Sequence, residues 1–278
     1  MVQADADVIL QTQKASALFS KMTIFGLASY HTEDARFPCW FLENVHTLKS
    51  LVVELCSFKK IFQDKGEISQ KIHPQIKRLT LNVLPKLQHI CEEGSQIDPV
   101  VEFLEYLHVR RCSSLINLMP SSATLNHLTY LEVVQCNGLK YLITTPTARS
   151  LDKLTVLKIK DCNSLEEIIT GENVDIAFTN LEILMLECLP SLVKFCSSKC
   201  FMKFPLLEEV TVSECPHMKI FSAGNTSTPI LRKVKTAEND SEWLWKGNLN
   251  DTIHIMFDDK VRLIQPSIYN VCVCVCVL

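Results

Sequence analysis

The sequence predicts an α/β solenoid, in which short parallel strands stack into one curved sheet. Three observations predict it. A sequence motif, which we call the phrase, spans about 15 residues and recurs along the 278-residue chain at intervals of 24 to 28 residues. Each copy alternates apolar and polar residues over its first half, which is typical of a strand. With 47% hydrophobic and 21% charged residues, the composition is that of a globular protein and not of a disordered chain.

Eight copies of the phrase are recognisable, and we number the positions of each copy from its first residue, position 0. The copies begin at Met22, Leu48, Ile76, Leu104, Leu128, Leu154, Leu181 and Leu207. The copy from Leu104 reads LEYLHVRRCSSLINL, and the copy from Leu154 reads LTVLKIKDCNSLEEI. The copy from Leu48 is one residue short, and the copy from Met22 is eroded. These intervals fall in the range of leucine-rich repeats.

Within each copy, the apolar positions indicate which residues face the core, both from the strand and from the opposite side of the repeat. Positions 0, 3 and 5 bracket a short strand, and positions 11 and 14 point back inward from the opposite, convex side. A further apolar residue stands three places before position 0 in seven copies: Phe19, Val45, Val101, Leu125, Leu151, Phe178 and Phe204. The remaining copy has His73 there. A single copy cannot bury these residues, but stacked copies bury them in one continuous core.

We therefore expect a leucine-rich-repeat solenoid of about eight repeats. Its concave side is predicted to be a curved parallel β-sheet. Its convex side is predicted to carry loops and short helices or 3-10 turns.

Five of the 13 cysteines stand at position 8, where the chain leaves the strand: Cys56, Cys112, Cys136, Cys162 and Cys215. This position calls for a small buried side chain with some hydrogen-bonding capacity, which a thiol supplies. The N-terminus has no secretory signal pattern, so we expect reduced thiols and a cytoplasmic setting.

Several functional classes are disfavoured by the sequence. The net charge of -3 leaves no basic excess for nucleic acid, and no run of 18 apolar residues predicts a membrane helix. We find no phosphate-binding G-x-x-x-x-G-K-[ST] loop and no convergent catalytic set, so we expect neither an enzyme nor a cofactor. Cys188, Cys196, Cys200 and His217 form the only cluster suggestive of zinc, but their spacing is loose. No metal site is predicted.

Positions 2, 4 and 6 alternate with the buried positions and are predicted to project from the concave sheet, the surface that solenoids use for binding. The partner-binding residues predicted there are Arg78, Tyr106, His108, Arg110, Tyr130, Glu132, Lys158 and Lys160. Tyr and Arg tend to dominate the energetics of interfaces, so we place the centre of the surface at Tyr106, Arg110 and Tyr130. The alternative is that these are ordinary solvated strand residues.

The recurring phrase F-x-x-L-x-x-L-x-L-x-x-C-x-x-L-x-x-I, with its C-P or L-P pair, resembles a known family. It is similar to the repeats of plant intracellular nucleotide-binding leucine-rich-repeat disease-resistance proteins of the coiled-coil class. FTNLEILMLECLPSLVKF (178–195), FPLLEEVTVSECPHMKIF (204–221) and LRKVKTAENDSEWLWKGNLNDTI (231–253) carry the resemblance most clearly. It covers about residues 19–257.

The resemblance implies a role in defense, through recognition of pathogen effectors or guarded host proteins. In that family the repeats also contact an intramolecular nucleotide-binding switch domain, whose phosphate loop this sequence lacks. Two alternatives stay open: a leucine-rich-repeat adaptor that recruits substrates to a ubiquitin ligase, and a non-functional gene fragment.

The expected domain division has four parts. Residues 1–18 are interpreted as a remnant of an upstream segment, residues 19–236 as the solenoid and residues 237–264 as a C-terminal cap, in which Trp243 and Trp245 cover the last repeat and Asn250 caps a helix. Residues 265–278 are a low-complexity tail. Its VCVCVCVL ending is what a GT dinucleotide tract encodes, so we interpret it as an artefact; the alternative is an aggregation-prone strand.

Overall fold

The computed structural model describes residues 21–31, 35–38, 42, 45–62, 74–91, 101–121, 123–236 and 243–263, the last seven as backbone only. The predictions for residues 1–18 and 265–278 therefore lie outside the described residues. The strands of the described residues are β1 (Ile24–Ala28), β2 (Ser50–Glu54), β3 (Lys60–Phe62), β4 (Arg78–Asn82), β5 (His89–Cys91), β6 (Tyr106–Arg110), β7 (Tyr130–Val134), β8 (Tyr141–Thr144), β9 (Val156–Lys160), β10 (Glu167–Thr170), β11 (Ile176–Ala177), β12 (Ile183–Glu187), β13 (Lys194–Cys196), β14 (Met202–Lys203), β15 (Glu209–Ser213), β16 (Thr226–Ser227), β17 (Val234–Lys235) and β18 (Trp243–Leu244). The helices are α1 (Thr145–Arg149) and α2 (Leu249–Leu263).

The main sheet contains ten strands in the order β1-β2-β4-β6-β7-β9-β12-β15-β17-β18. All neighbours are parallel except the last pair, in which β18 runs antiparallel to β17. The first eight strands each span positions 2 to 6 of one repeat, and the pairing carries each position onto the same position of the next repeat. Tyr106, for example, pairs with Tyr130, which pairs with Val156. This in-register stacking confirms the predicted solenoid of about eight repeats.

The convex side differs from the prediction, because short strands are more frequent there than helices. Three small parallel sheets form, with the strand orders β3-β5, β13-β10-β8 and β11-β14-β16, whereas α1 contains only five residues. Repeats of 24 to 28 residues leave little length for a helix after the concave strand and two turns. Extended segments at the same position of neighbouring repeats can instead satisfy one another's backbone groups.

The core lies between the main sheet and the convex segments. Leu107 and Val109 of β6 are fully buried, as are Leu115 and Leu118 on the convex side, and the equivalent residues of the copies from Ile76 to Leu207 follow the same pattern. In the first copy, Phe25 and Leu27 are only partly buried. The apolar residue before position 0 closes a tight turn. The backbone N–H of Leu104 donates to the carbonyl of Val101 at 3.1 Å, and five other copies repeat this bond.

Position 7 of every repeat has left-handed backbone, and none of the eight residues is glycine. Their φ angles lie between 51° and 59°: Ser29, Leu55, Val83, Arg111, Gln135, Asp161, Cys188 and Glu214. In seven of them the N–H donates to the position 6 carbonyl of the next repeat, at 2.9 to 3.1 Å. The left-handed turn thus extends the ladder of the sheet by one bond before the chain leaves it.

The position 8 cysteines are buried thiols, as predicted. All five are inaccessible to solvent, and the nine cysteines in the described residues are free. Each position 8 thiol donates to the carbonyl two residues before it, as in Cys56 to Glu54 at 3.0 Å. Cys162 also accepts the N–H of Cys136 at 3.4 Å. The thiols therefore join adjacent repeats at the turn that follows the strand.

Four phenylalanines fill the core between the repeats that begin at Leu181 and Leu207. Phe178 stacks on Phe204 with ring centroids 5.3 Å apart, and Phe195 stacks on Phe221 at 4.7 Å. The two stacks meet edge to face, with Phe195 and Phe204 at 6.1 Å and 77°. We call these residues the phenylalanine cluster.

Helix α2 covers the end of the core with Leu249, Ile253 and Met256, all of which are buried. Its start corrects the expected cap. Asn248 caps the helix by accepting the N–H of Asp251 at 2.9 Å. The side chain of Asn250 instead bonds both backbone groups of Ser222, at 2.9 and 3.0 Å.

Of the two tryptophans predicted to cover the last repeat, only Trp245 lies against the core. Trp243 is 59% exposed and does not cover the last repeat, whereas Trp245 packs against the core. In the part of the chain that the structure describes, no helix has the length and apolar character needed to cross a membrane.

Candidate partner-binding face

The concave face is a regular grid, because the strands are parallel and in register. We name its three lines of side chains, which run across the strands, row 2, row 4 and row 6 after their repeat positions. Neighbouring strands lie about 4.8 Å apart, and successive rows about 6.6 Å apart. All eight side chains predicted for partner binding belong to these rows, between β4 and β9.

A cation and two aromatic rings stack along row 2. The guanidinium of Arg78 lies over the Tyr106 ring, 4.3 Å from its centroid. Tyr106 in turn stacks on Tyr130, with centroids 4.6 Å apart and ring planes within 10°. The strand spacing is close to the thickness needed for stacked rings, so equal positions in adjacent repeats favour this contact. The two rings pack against each other, and both side chains are partly exposed.

Glu132 in row 4 is held by its neighbours. The Tyr130 hydroxyl donates to Glu132 Oε2 at 2.8 Å, and His108 Nδ1 lies 3.8 Å from the same oxygen. Burial and this hydrogen bond raise the pKa of Tyr130 well above its usual value of 10.0. Burial, together with the negative charge of Glu132, also raises the pKa of Tyr106. Both phenols therefore stay neutral at physiological pH.

Three other basic side chains, Arg110, Lys158 and Lys160, lie in rows 4 and 6. Lys160 forms an ion pair with the buried carboxylate of Glu187 at 3.3 Å. Among the described residues, the side chains of Arg110 and Lys158 have no hydrogen-bond or ion-pair partner, and Arg110 is exposed. The buried Nε2 atom of His108 also lacks a partner in the described chain. On the described part of the face, Arg110 and Lys158 are thus the cationic side chains left without partners.

The predicted residues consequently form two groups. Arg78, Tyr106, Tyr130, Glu132 and His108 contact one another, whereas Arg110, Lys158 and Lys160 form a basic group beside them.

The structure adds two partly exposed apolar residues to the predicted site, Val156 and Ile183. They continue row 2 beyond Tyr130 on β9 and β12. Their position in the repeat places them on this face in the sequence as well. Their apolar character alone gave no reason to single them out, because exposed aliphatic residues are common on protein surfaces.

The cysteines considered for zinc are not brought together with His217. The Cys196 and Cys200 sulfurs lie 3.8 Å apart, whereas the Cys188 thiol donates to Glu214 Oε2 at 3.4 Å. His217 Nδ1 hydrogen-bonds the carbonyl of Pro190. Within the described ranges, no group of three or more His, Cys, Asp or Glu side chains is arranged to hold a metal ion.

A comparison with protein families gives one match. The profile of plant disease resistance protein RPS2-like, leucine-rich repeats, matches residues 4–136 and 122–227. The two overlapping segments extend over more than half of the chain. No curated protein and no solved structure matches the chain.

Proposed function

Because the chain belongs to the RPS2-like plant disease resistance proteins through its leucine-rich repeats, we propose that it is their protein-recognition module. The proposed partner is a pathogen effector or a host protein that such a receptor guards. Binding takes place on the concave face, and the proposed role involves neither catalysis nor a cofactor. The proposed setting is the cytoplasm, which agrees with buried cysteines that bond as thiols.

One observation carries the proposal. The stacked group of Arg78, Tyr106 and Tyr130 shares the concave face with Arg110, whose guanidinium has no partner in the described chain. Rings that are already fixed lose little conformational freedom when a partner covers them, so more of the contact energy remains as affinity. Tyr and Arg are also the residue types that most often dominate interfaces.

The test is a triple variant, Tyr106→Ala, Arg110→Ala and Tyr130→Ala, compared with the wild-type chain. Both are used to capture partners from infected plant tissue. The affinity of each captured protein for the wild-type chain and for the variant is then measured with purified components. The matched control is Tyr141→Ala, Lys140→Ala and Arg149→Ala, which removes similar side chains from the convex side.

We expect the concave triple to weaken partner binding by at least tenfold and the convex control to leave it unchanged. Thermal unfolding of all three proteins checks that the fold is intact. Equal affinity of the wild-type chain and the concave triple would refute the proposed binding surface.

A further inference from the structure

The charge of the central part of the concave face, from β4 to β12, is opposite to that of the whole chain. On strands β4, β6, β7, β9 and β12, the outward rows carry four Arg or Lys residues, Arg78, Arg110, Lys158 and Lys160, against two carboxylates, a net of +2. The chain as a whole carries -3. A partner surface rich in carboxylates is therefore attracted to this central part of the face.

The two carboxylates of these strands are already engaged. Glu132 accepts the Tyr130 hydroxyl, and Glu187 pairs with Lys160. The side chains of Arg110 and Lys158 have no partner among the described residues. The guanidinium of Arg110 and the ammonium of Lys158 can only donate, so the groups they lack are acceptors.

An apolar stripe runs parallel to this basic region. Row 2 contains Tyr106, Tyr130, Val156 and Ile183 on four neighbouring strands, and all four are partly exposed. Rows 2 and 6 lie about 13 Å apart, since four residues of a strand separate them. An α-helix with its side chains is about 10–12 Å wide. A helix lying across the strands can contact both rows at once.

The strand spacing favours a helix over an extended peptide. Side chains on one face of a helix recur every turn, about 5.4 Å, which is close to the strand spacing of about 4.8 Å. Side chains on one face of an extended peptide recur about every 6.7 Å. Across the four intervals from β4 to β12, the mismatch is about 2 Å for the helix and about 8 Å for the extended chain. Successive helical turns therefore meet successive repeats.

We propose that the partner presents an amphipathic α-helix to the concave face, with an apolar stripe along row 2 and carboxylates facing Arg110 and Lys158. About 13 residues of helix span the five strands, a length of about 19 Å. This inference rests on the proposed function, since it specifies the chemistry of the protein that the face recognises.

The test uses synthetic 18-residue peptides and the full chain, with affinity measured by fluorescence anisotropy. The probe peptide has a leucine stripe with glutamates on one flank. A second peptide has lysines in place of the glutamates, a third has glutamines, and a fourth has two central prolines that prevent the helix. The protein variants are Arg110→Ala with Lys158→Ala, and the control Lys140→Ala with Arg149→Ala on the convex side.

We expect the glutamate peptide to bind at least tenfold more tightly than the lysine and proline peptides. The Arg110 and Lys158 double variant should bind the glutamate peptide with about tenfold lower affinity and the glutamine peptide with little change. The control variant should bind both peptides as the wild type does. Weaker binding at high salt is part of the expected result.

Equal binding of the glutamate and lysine peptides, equal binding of the proline peptide, or no binding at all would overturn the inference. None of these outcomes bears on the proposed function, which is decided by the concave triple and the captured plant protein. If the concave triple variant still binds the captured plant protein more weakly than the wild type does, the proposed binding surface is retained. Only the proposal of a helical, acidic partner is then refuted.

Discussion

At the residue scale, the left-handed residue at position 7 is a source of backbone strain in most repeats. An L-residue other than asparagine or aspartate loses about 1–2 kcal/mol in this conformation. The in-register sheet compensates, because the same turn lets the N–H reach the next repeat. In Leu55 this bond to the carbonyl of Asn82 is 3.0 Å long.

Replacing Leu55 with Asn should therefore stabilise the protein by about 1 kcal/mol, because Asn adopts left-handed backbone more readily. Leu55 is 47% exposed, so little apolar burial is lost. Urea unfolding measures the change. Leu206→Asn is the control, since Leu206 is 43% exposed but is not left-handed. A destabilised Leu55→Asn protein, or an equal gain at Leu206, would contradict the strain argument.

The position 8 thiols predict a pH dependence. Burial raises the pKa of Cys162 from 9.0 to about 12, with a further contribution from the neighbouring Cys136. The folded chain thus holds the thiol proton more tightly than the unfolded chain. The resulting stability is fully present below pH 9 and is lost as the pH rises from about 9 to 12.

Stability measured between pH 8 and pH 11 should therefore fall less steeply in Cys162→Ala than in the wild type. Each protein is unfolded with urea at each pH, and the difference between the two proteins isolates this thiol from lysines and tyrosines. Parallel pH profiles would show that Cys162 does not contribute. The alkaline loss would then come from other groups.

At the element scale, shape complementarity between adjacent repeats sets the stability. The phenylalanine cluster joins two repeats by two parallel stacks and edge-to-face contacts, so each ring supports a neighbour in the next repeat. Helix α2 closes the end of the solenoid through side-chain hydrogen bonds. Its Asn250 amide provides the donor and acceptor that another repeat would have given to Ser222.

Phe195→Ala should destabilise the chain by about 3–5 kcal/mol, because it leaves a cavity between stacked rings that cannot collapse freely. Phe195→Leu should cost less, since it keeps most of the apolar volume. Chemical denaturation measures both, with Phe201→Ala as the control, because Phe201 is exposed. A loss for Phe195→Ala no larger than that of the control would argue against the cluster as a major source of stability.

Asn250→Ala should cost about 1–3 kcal/mol, because it leaves the backbone N–H and C=O of the buried Ser222 without partners. Hydrogen exchange is the direct measurement, and the Ser222 amide should exchange faster while β6 and β7 stay protected. Asn248→Ala, which removes only the helix cap, serves for comparison. Unchanged protection at Ser222 would show that the Asn250 amide does not close the edge of the solenoid.

At the scale of the whole molecule, stacking places residues of five repeats on one surface. Each repeat contributes only three side chains to the concave face. The face combines an aromatic and apolar stripe with a basic region, although the chain is acidic overall. Its recognition properties therefore belong to the array of repeats, and a change at one position alters one element of a pattern that continues on both sides.

The sequence by itself determined the period, the strands and the side of the sheet to which each residue belongs. These follow from local alternation, because successive side chains of a strand point to opposite faces. The burial of the position 8 cysteines was predictable for the same reason, since their place relative to the strand is fixed.

Only the tertiary structure decided which side chains meet. Arg78, Tyr106 and Tyr130 are separated by 24 to 28 residues, and their stacking depends on the register and twist of neighbouring strands. The left-handed turn at position 7, the convex strands and the pairing of Asn250 with Ser222 were likewise not predicted. Each satisfies backbone groups of an adjacent repeat, and a repeat pattern does not specify how backbone groups pair across that distance.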